Sequence, residues 1–378
     1  MKGIYIHIPF CHQICHYCDF NKVFFDKQPV DDYLKSVLIE IEHTLRENKE
    51  PQNLESVFLG GGTPTSLTDQ QLGTLLAGII KLVPNAASLE WTSEANPDEL
   101  TASKLDILAK YGVNRLSMGV QSFQPHLLQK LGRVHHNEQV FQAISYAKSI
   151  GLSNISIDLM YGLPDQTLEE WRETMEIALS LDLPHYSAYS LLVEPKTVFY
   201  NLFRKGKLPL PGQDLEATMY AELMRFMEEN ERYQYEISNF GKENFHSIHN
   251  SIYWSNESYA GIGAGAHGYL NGNRYSNIGP IKKYIQAVQS TNNAIHSTHL
   301  VTKEESMEEQ LFLGLRMTKG VSLREFSEKY TVSLEDVFGE TVNDLTNKGL
   351  LVRDGDYIQI PPKARFIANE IFSRFLLS

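Results

Sequence analysis

The sequence predicts an α/β protein. An incomplete (β/α)6 barrel is followed by a C-terminal α+β region ending in a winged-helix-like module. Three observations lead there. Strand and helix patterns alternate six times between residue 3 and about residue 205. Residues able to do chemistry gather at the C-terminal ends of those strands, which in a barrel open on one face. From about residue 303 the pattern becomes helices followed by a hairpin.

The strand candidates are GIYIHI (3–8), LESVFLG (54–60), SLEWTSE (88–94), VNRLSMGV (113–120), NISIDLMYG (154–162) and HYSAYSLL (185–192). Amphipathic helix patterns separate them. In the first, over 31–47, Tyr33, Leu34, Val37, Leu38, Ile41 and Leu45 recur at helical spacing. Gly112 and Gly151 end two later helices at plausible C′ positions.

Six βα units imply a parallel sheet, either doubly wound or barrel-like. No GxGxxG follows the first strand, which disfavours a dinucleotide-binding sheet. The cysteines follow strand one and Gly60-Gly61-Gly62-Thr63 follows strand two. Glu94 and Asn96 end strand three, Gln121 and Ser122 end strand four, and Asp158 and Tyr161 lie near the end of strand five. That arrangement favours a barrel, and six units instead of eight predict an open side.

The expected organisation is a barrel over 1–205, a connecting region over 206–302 and a winged-helix-like domain over 303–378. Helices are expected at 304–317, 322–330 and 334–348, then a hairpin turning at Asp354-Gly355, then a last helix over 363–376. The segments EESMEEQ and LEDVFGETVND are acidic, so this module reads as a lid or docking surface and not as a nucleic-acid reader.

The 378 residues carry a net charge of -12, a poor match to a phosphate backbone. The apolar start, GIYIHIPF, is short and contains His7 and Pro9, so it reads as a strand and not as a signal peptide. No run reaches the roughly 18 apolar residues of a membrane span. The expected location is the cytoplasm, with peripheral membrane contact left open.

All three cysteines, Cys11, Cys15 and Cys18, lie in IHIPFCHQICHYCDF. An odd cluster of this kind points to metal or redox chemistry instead of a disulfide framework. A structural zinc wants four ligands, for which His12 or His16 is available, yet there is no second half-site. An iron–sulfur cluster held by three thiolates would keep one iron open. A simple buried-thiol role is the bland alternative. GGGTPT (60–65) lacks the GK[ST] of a phosphate loop and reads either as a tight turn or as a close backbone approach to a ligand.

C-x3-C-x2-C after a first strand, together with GGGTPT, resembles the radical S-adenosylmethionine (SAM) superfamily. YIHIPFCxxxCxYCDF, GGGTPT, SEANPDEL, RLSMGVQSF, LGRVH and DLMYGLP occur in that order. They resemble the oxygen-independent coproporphyrinogen III dehydrogenases and their relatives across nearly the whole chain. The resemblance implies a [4Fe–4S] cluster on Cys11, Cys15 and Cys18. It also implies SAM held by Tyr5, Gly61, Glu94, Gln121, Arg133 and Asp158, with Tyr17, Gly62 and Thr63 beside it.

Two departures separate the chain from the dehydrogenases. Phe20 stands where they carry a further cysteine, and only four residues precede the first-strand tyrosine. Both features resemble the HemW-type haem chaperones. HNSIYW (249–254) is similar to that group's HNxxYW motif and implies haem binding by His249, Asn250, Tyr253 and Trp254. His267 in GAGAHGY is a second, weaker candidate. The leading expectation is therefore a chaperone that binds a [4Fe–4S] cluster, SAM and haem and passes haem to acceptors such as respiratory haemoproteins. The alternatives are oxidative decarboxylation of coproporphyrinogen III, another radical reaction on a tetrapyrrole, or a zinc-stabilised binding module.

Overall fold

The computed structural model describes residues 1–377. Six parallel strands appear where the sequence places them: β1 (Gly3–Ile8), β2 (Ser56–Gly61), β3 (Glu90–Ala95), β4 (Arg115–Gln121), β5 (Ile155–Tyr161) and β6 (His185–Ser190). β2 and β4 are buried along their whole length, as strands covered on both faces must be. Each of β1 to β5 pairs with the next, beginning at Gly3 opposite Ser56 and Ile8 opposite Gly61.

Strand order decides between the two sheet types. A doubly wound sheet reverses direction at a switch point and carries helices on both faces. Here the strands follow chain order without reversal. With right-handed crossovers, all connecting helices then fall on one side, which is barrel winding. The helices that follow β1, β2 and β3, namely α1 (Val30–Glu47), α2 (Asp69–Leu82) and α3 (Ala102–Lys110), pack in that order. On α1, Tyr33, Leu34, Val37 and Ile41 are buried, while Leu38 and Leu45 pack against the core from its margin. A reciprocal Thr68–Gln71 capping box starts α2.

The segment 206–302 adds six strands to the same sheet: β7 (Tyr233–Glu236), β8 (Asn239–Gly241), β9 (Tyr259–Ile262), β10 (His267–Leu270), β11 (Asn273–Asn277) and β12 (Ile295–Leu300). β8 and β7 extend the sheet antiparallel beyond β6. On the other side β9 pairs with β1 and is a seventh parallel strand, absent from the sequence expectation. β12 and β7 are the two edges and do not meet, so the barrel is open.

The C-terminal region reaches toward both edges. It builds a second core from Met307 to Phe375. Arg274 on β11 donates to Glu309 at 2.8 Å, and Thr318 N–H donates to Tyr235 O on β7 at 2.9 Å. Its order is helix (Lys303–Gly314), short strand (Val321–Ser322), helix (Leu323–Tyr330), helix (Leu334–Asn347) and hairpin (Val352–Asp354 with Tyr357–Gln359). The expected last helix is instead a short α-helix, Ala368–Phe372, between two 3-10 turns.

Glu40 on α1 ties the end of β9 to the helix layer. It is buried and accepts from Gly263 N–H at 2.8 Å, Asn277 Nδ2 at 2.7 Å and the Tyr284 hydroxyl at 2.5 Å. Burial outweighs these donors and pushes its carboxyl up to about 7. Between about pH 4.5 and 7 the unfolded chain therefore releases this proton while the folded chain keeps it, and stability falls as pH rises. We expect Glu40→Gln to be less stable but to lack this slope. In urea unfolding, the gap between wild type and variant should narrow by roughly 2–3 kcal/mol across that window; a constant gap would contradict the assignment.

Candidate functional site

Parallel strands deliver their C-terminal ends to one face, and the cysteine loop lies there directly after β1. Phe10–Cys11 pairs with Val23–Phe24 and closes the loop at its neck. Phe25 N–H adds a bond to Cys11 O at 2.9 Å. The loop histidines are tied outward: a ring nitrogen of His12 bonds Ser66 O at 3.1 Å, and Nδ1 of His16 bonds Lys130 O at 2.8 Å.

The three cysteines line one cavity of about 470 Å³. Burial pushes the Cys11 thiol up to about 12 and also raises Cys18. A metal that binds them must displace those protons. Three free thiols on one loop are the donor set of an iron–sulfur cluster that keeps one iron open.

The GGGT turn forms the next wall. Gly61 has φ +116°, and a Cβ there would lie 2.4 Å from the His7 ring, so the turn requires glycine. Its N–H donates to Glu94 Oε2 at 2.9 Å. Burial pushes Glu94 up to about 8 against that bond, and nearby Asp158 adds to the rise. Asp158 is itself pushed up to about 6 by burial, although Ser117 Oγ donates to it at 3.2 Å. Two half-buried carboxylates with raised proton affinity suit a cationic or hydroxyl-rich ligand.

Arg133 spans the cavity. Its Nη1 donates to Asn96 Oδ1 at 2.6 Å and its Nη2 to the Tyr17 hydroxyl at 2.9 Å. Its Nε is buried without a hydrogen-bond partner among the described residues. An orphaned guanidinium donor of this kind fits a carboxylate ligand. Gln121 ends β4 with φ +68°, where the register with β5 slips between Gly119 and Gln121. The irregularity places Gln121 in the cavity wall.

Tyr17, Gly61, Gly62, Thr63, Glu94, Gln121, Arg133 and Asp158 all line the cysteine cavity. Tyr5 does not. Its hydroxyl meets His7 Nδ1 at 2.9 Å, and it lines an adjoining pocket of about 390 Å³ with Tyr253, Tyr259 and His267. Asp19 and Phe20 belong to both cavities. Asn96, noted in the sequence only as a strand end, links Arg133 to Thr63 through a 3.0 Å bond. Ser117 on β4 also lines the cavity, and nothing in its position within RLSMGVQSF singles it out.

HNSIYW forms most of α4 (Ile248–Trp254), at the opposite end of the barrel. Glu90 accepts from Ile248 N–H and His249 N–H at 2.9 Å each. His249 is 1% exposed. Its Nδ1 meets Ser56 Oγ and its Nε2 meets the Tyr253 hydroxyl, both at 2.7 Å. Ser56 and Glu90 begin β2 and β3, so His249 sits where barrels carry stabilising residues. Burial pushes its imidazole down to about 3, which keeps it neutral. Asn250 N–H is capped by Ser247 Oγ at 3.3 Å, and Trp254 lies beneath the Arg316 guanidinium at 4.3 Å. Of the four, only Tyr253 lines either cavity.

Residues 5–178 match the radical SAM superfamily, and residues 301–367 match the HemN C-terminal domain. The fold and the cysteine cavity thus define a radical SAM protein. Over 377 residues the chain is 50% identical to heme chaperone HemW of Bacillus subtilis (strain 168), covering 100% of this chain and 99% of that one. It is 33% identical to heme chaperone HemW of Escherichia coli (strain K12), covering 99% and 98% of the two chains. The structure of Escherichia coli coproporphyrinogen III oxidase (HemN), a radical SAM enzyme, superposes with a TM-score of 0.84 at 25% identity, over 99% of this chain and 90% of that one. The chain belongs to the HemW family.

Proposed function

We propose that this protein is a haem chaperone that binds a [4Fe–4S] cluster, SAM and haem and delivers haem to acceptor haemoproteins such as respiratory enzymes. The observation that carries the reading is the pair of cavities sharing Asp19 and Phe20. One has the thiols and polar groups for the cluster and SAM. The other is walled by tyrosines suited to a flat apolar cargo.

In this reading Cys11, Cys15 and Cys18 hold the cluster, Arg133 takes the SAM carboxylate, and Glu94 and Asp158 take its ammonium or ribose hydroxyls. When bound, such a cluster supplies an open iron for SAM and an electron for its reductive cleavage. Among the described residues no helix is long and apolar enough to cross a membrane; the proposed compartment is the cytoplasm. Anaerobic optical titration of cluster-loaded protein with haem, followed by transfer to an apo-haemoprotein, tests the proposal. Absence of saturable uptake would sink it.

The likeness to coproporphyrinogen III oxidase and the SAM-type cavity favour a second reading, radical decarboxylation of coproporphyrinogen III. Against it, Phe20 occupies the position of the dehydrogenases' additional cysteine and is 60% exposed at the rim of both cavities. Anaerobic incubation with SAM, reductant and substrate distinguishes the two, because only the enzyme yields protoporphyrinogen. In either reading, Glu94→Ala should weaken SAM binding about tenfold, as loss of charge-assisted hydrogen bonds does. Iron content per chain should not change. Unaltered SAM affinity would remove Glu94 from the site.

A further inference from the structure

We propose that haem iron is ligated by His267, in the pocket between the cysteine loop and the β9–β10 turn, and not by His249. The inference rests on the haem-chaperone reading and specifies its binding site.

An axial ligand needs a free ring nitrogen facing space wide enough for a porphyrin. His249 offers neither: both nitrogens are engaged at 2.7 Å, and the ring is 1% exposed. His267 offers both. It is exposed at the start of β10, no hydrogen bond engages its ring among the described residues, and it lines the 390 Å³ pocket. That volume is typical of a ligand cleft. Tyr5, Tyr253 and Tyr259 give the pocket aromatic walls, and Phe20 stands at its rim. No Lys or Arg lines it, so propionates would point to solvent.

The position of His267 is built in. A Cβ on Gly261 would lie 1.9 Å from the His267 carbonyl oxygen, so β9 must carry glycine for β10 to approach. The connecting turn is held from two sides. Glu40 accepts from Gly263 N–H at 2.8 Å. Asn21 Nδ2 donates to Ala264 O at 2.7 Å and to Gly279 O at 3.1 Å. Asn21 lies three residues beyond Cys18, and its carbonyl meets His7 Nε2 at 2.7 Å. The cysteine loop is therefore one wall of the haem pocket.

This geometry reassigns the HNSIYW motif. Its histidine acts as a positioning residue: it holds the Tyr253 hydroxyl at 2.7 Å and thereby sets one wall of the pocket.

The test is an anaerobic haem titration of the cluster-loaded full chain, comparing wild type, His267→Ala and His249→Gln by Soret absorption and by electron paramagnetic resonance of ferric haem. His267→Ala should lose the imidazole-ligated spectrum and bind about 10-fold more weakly or worse. Free imidazole should restore the spectrum, which a folding defect would not allow. His249→Gln should keep the wild-type spectrum. A wild-type spectrum from His267→Ala, or loss of imidazole ligation in His249→Gln alone, would overturn the assignment while leaving a haem function in place. A wild-type chain that takes up no haem would overturn both the assignment and the chaperone reading.

Discussion

Cys15→Ser, reconstituted anaerobically with iron and sulfide, is expected to come off a desalting column without the broad absorption of a [4Fe–4S] cluster and with little acid-labile sulfide. Cys11→Ser and Cys18→Ser should behave alike. The thiols share one cavity and no other cysteine exists in the chain, so no substitute thiolate can fill a lost position. His12 and His16 are each anchored through one ring nitrogen to a main-chain carbonyl, which restricts where their rings can reach. The expected effect is near-complete loss, since a serine hydroxyl is far harder to deprotonate than a thiol and is a poor match for iron. Iron and sulfide analysis decides it: a fully loaded, stable Cys15→Ser protein would show that the cavity is not the cluster site.

Arg133→Leu is the second large effect. It removes a guanidinium that lines the cavity, with its unpartnered Nε and the two bonds that hold Tyr17 and Asn96. Truncating one side of a buried charge-assisted contact costs about 2–5 kcal/mol, so SAM affinity should fall at least about 30-fold. Cluster content should be retained, because Arg133 supplies no bond to the cysteine sulfurs among the described contacts. Equilibrium binding of SAM to cluster-loaded protein checks this, with Arg133→Lys as the control for charge without the fork. Equal affinity in all three would place the SAM carboxylate elsewhere.

Much of this site was legible because its signals are local. The cysteine spacing, GGGT and the polar residues that end strands are each confined to a few adjacent residues, and parallel strands carry them all to one face whatever the details of packing. Asn96 was visible only as a strand end; its bridge between Arg133 and Thr63 joins residues 33 and 37 positions away and leaves no mark in sequence. Tyr5 lines the aromatic pocket and not the cysteine cavity, a placement its position in the motif does not reveal.

The HNSIYW motif makes the same point at larger scale. Its composition reads equally well as a cofactor box or as a packed polar cluster. Only the register of α4 against Ser56 and Glu90 decides that His249 is sealed and Tyr253 is presented. β9 was missed for a related reason: YAGI is four residues long and glycine-bearing, and its pairing with β1 bridges more than 250 positions.

What the sequence determined is the alternation of six strands and helices and the gathering of all three thiols in one loop, since periodicity and motif spacing are properties of adjacent residues. What only the tertiary structure decided is the seventh parallel strand, the second cavity and which histidine faces it. Those depend on contacts between segments hundreds of residues apart, whose pairing is set by packing and burial.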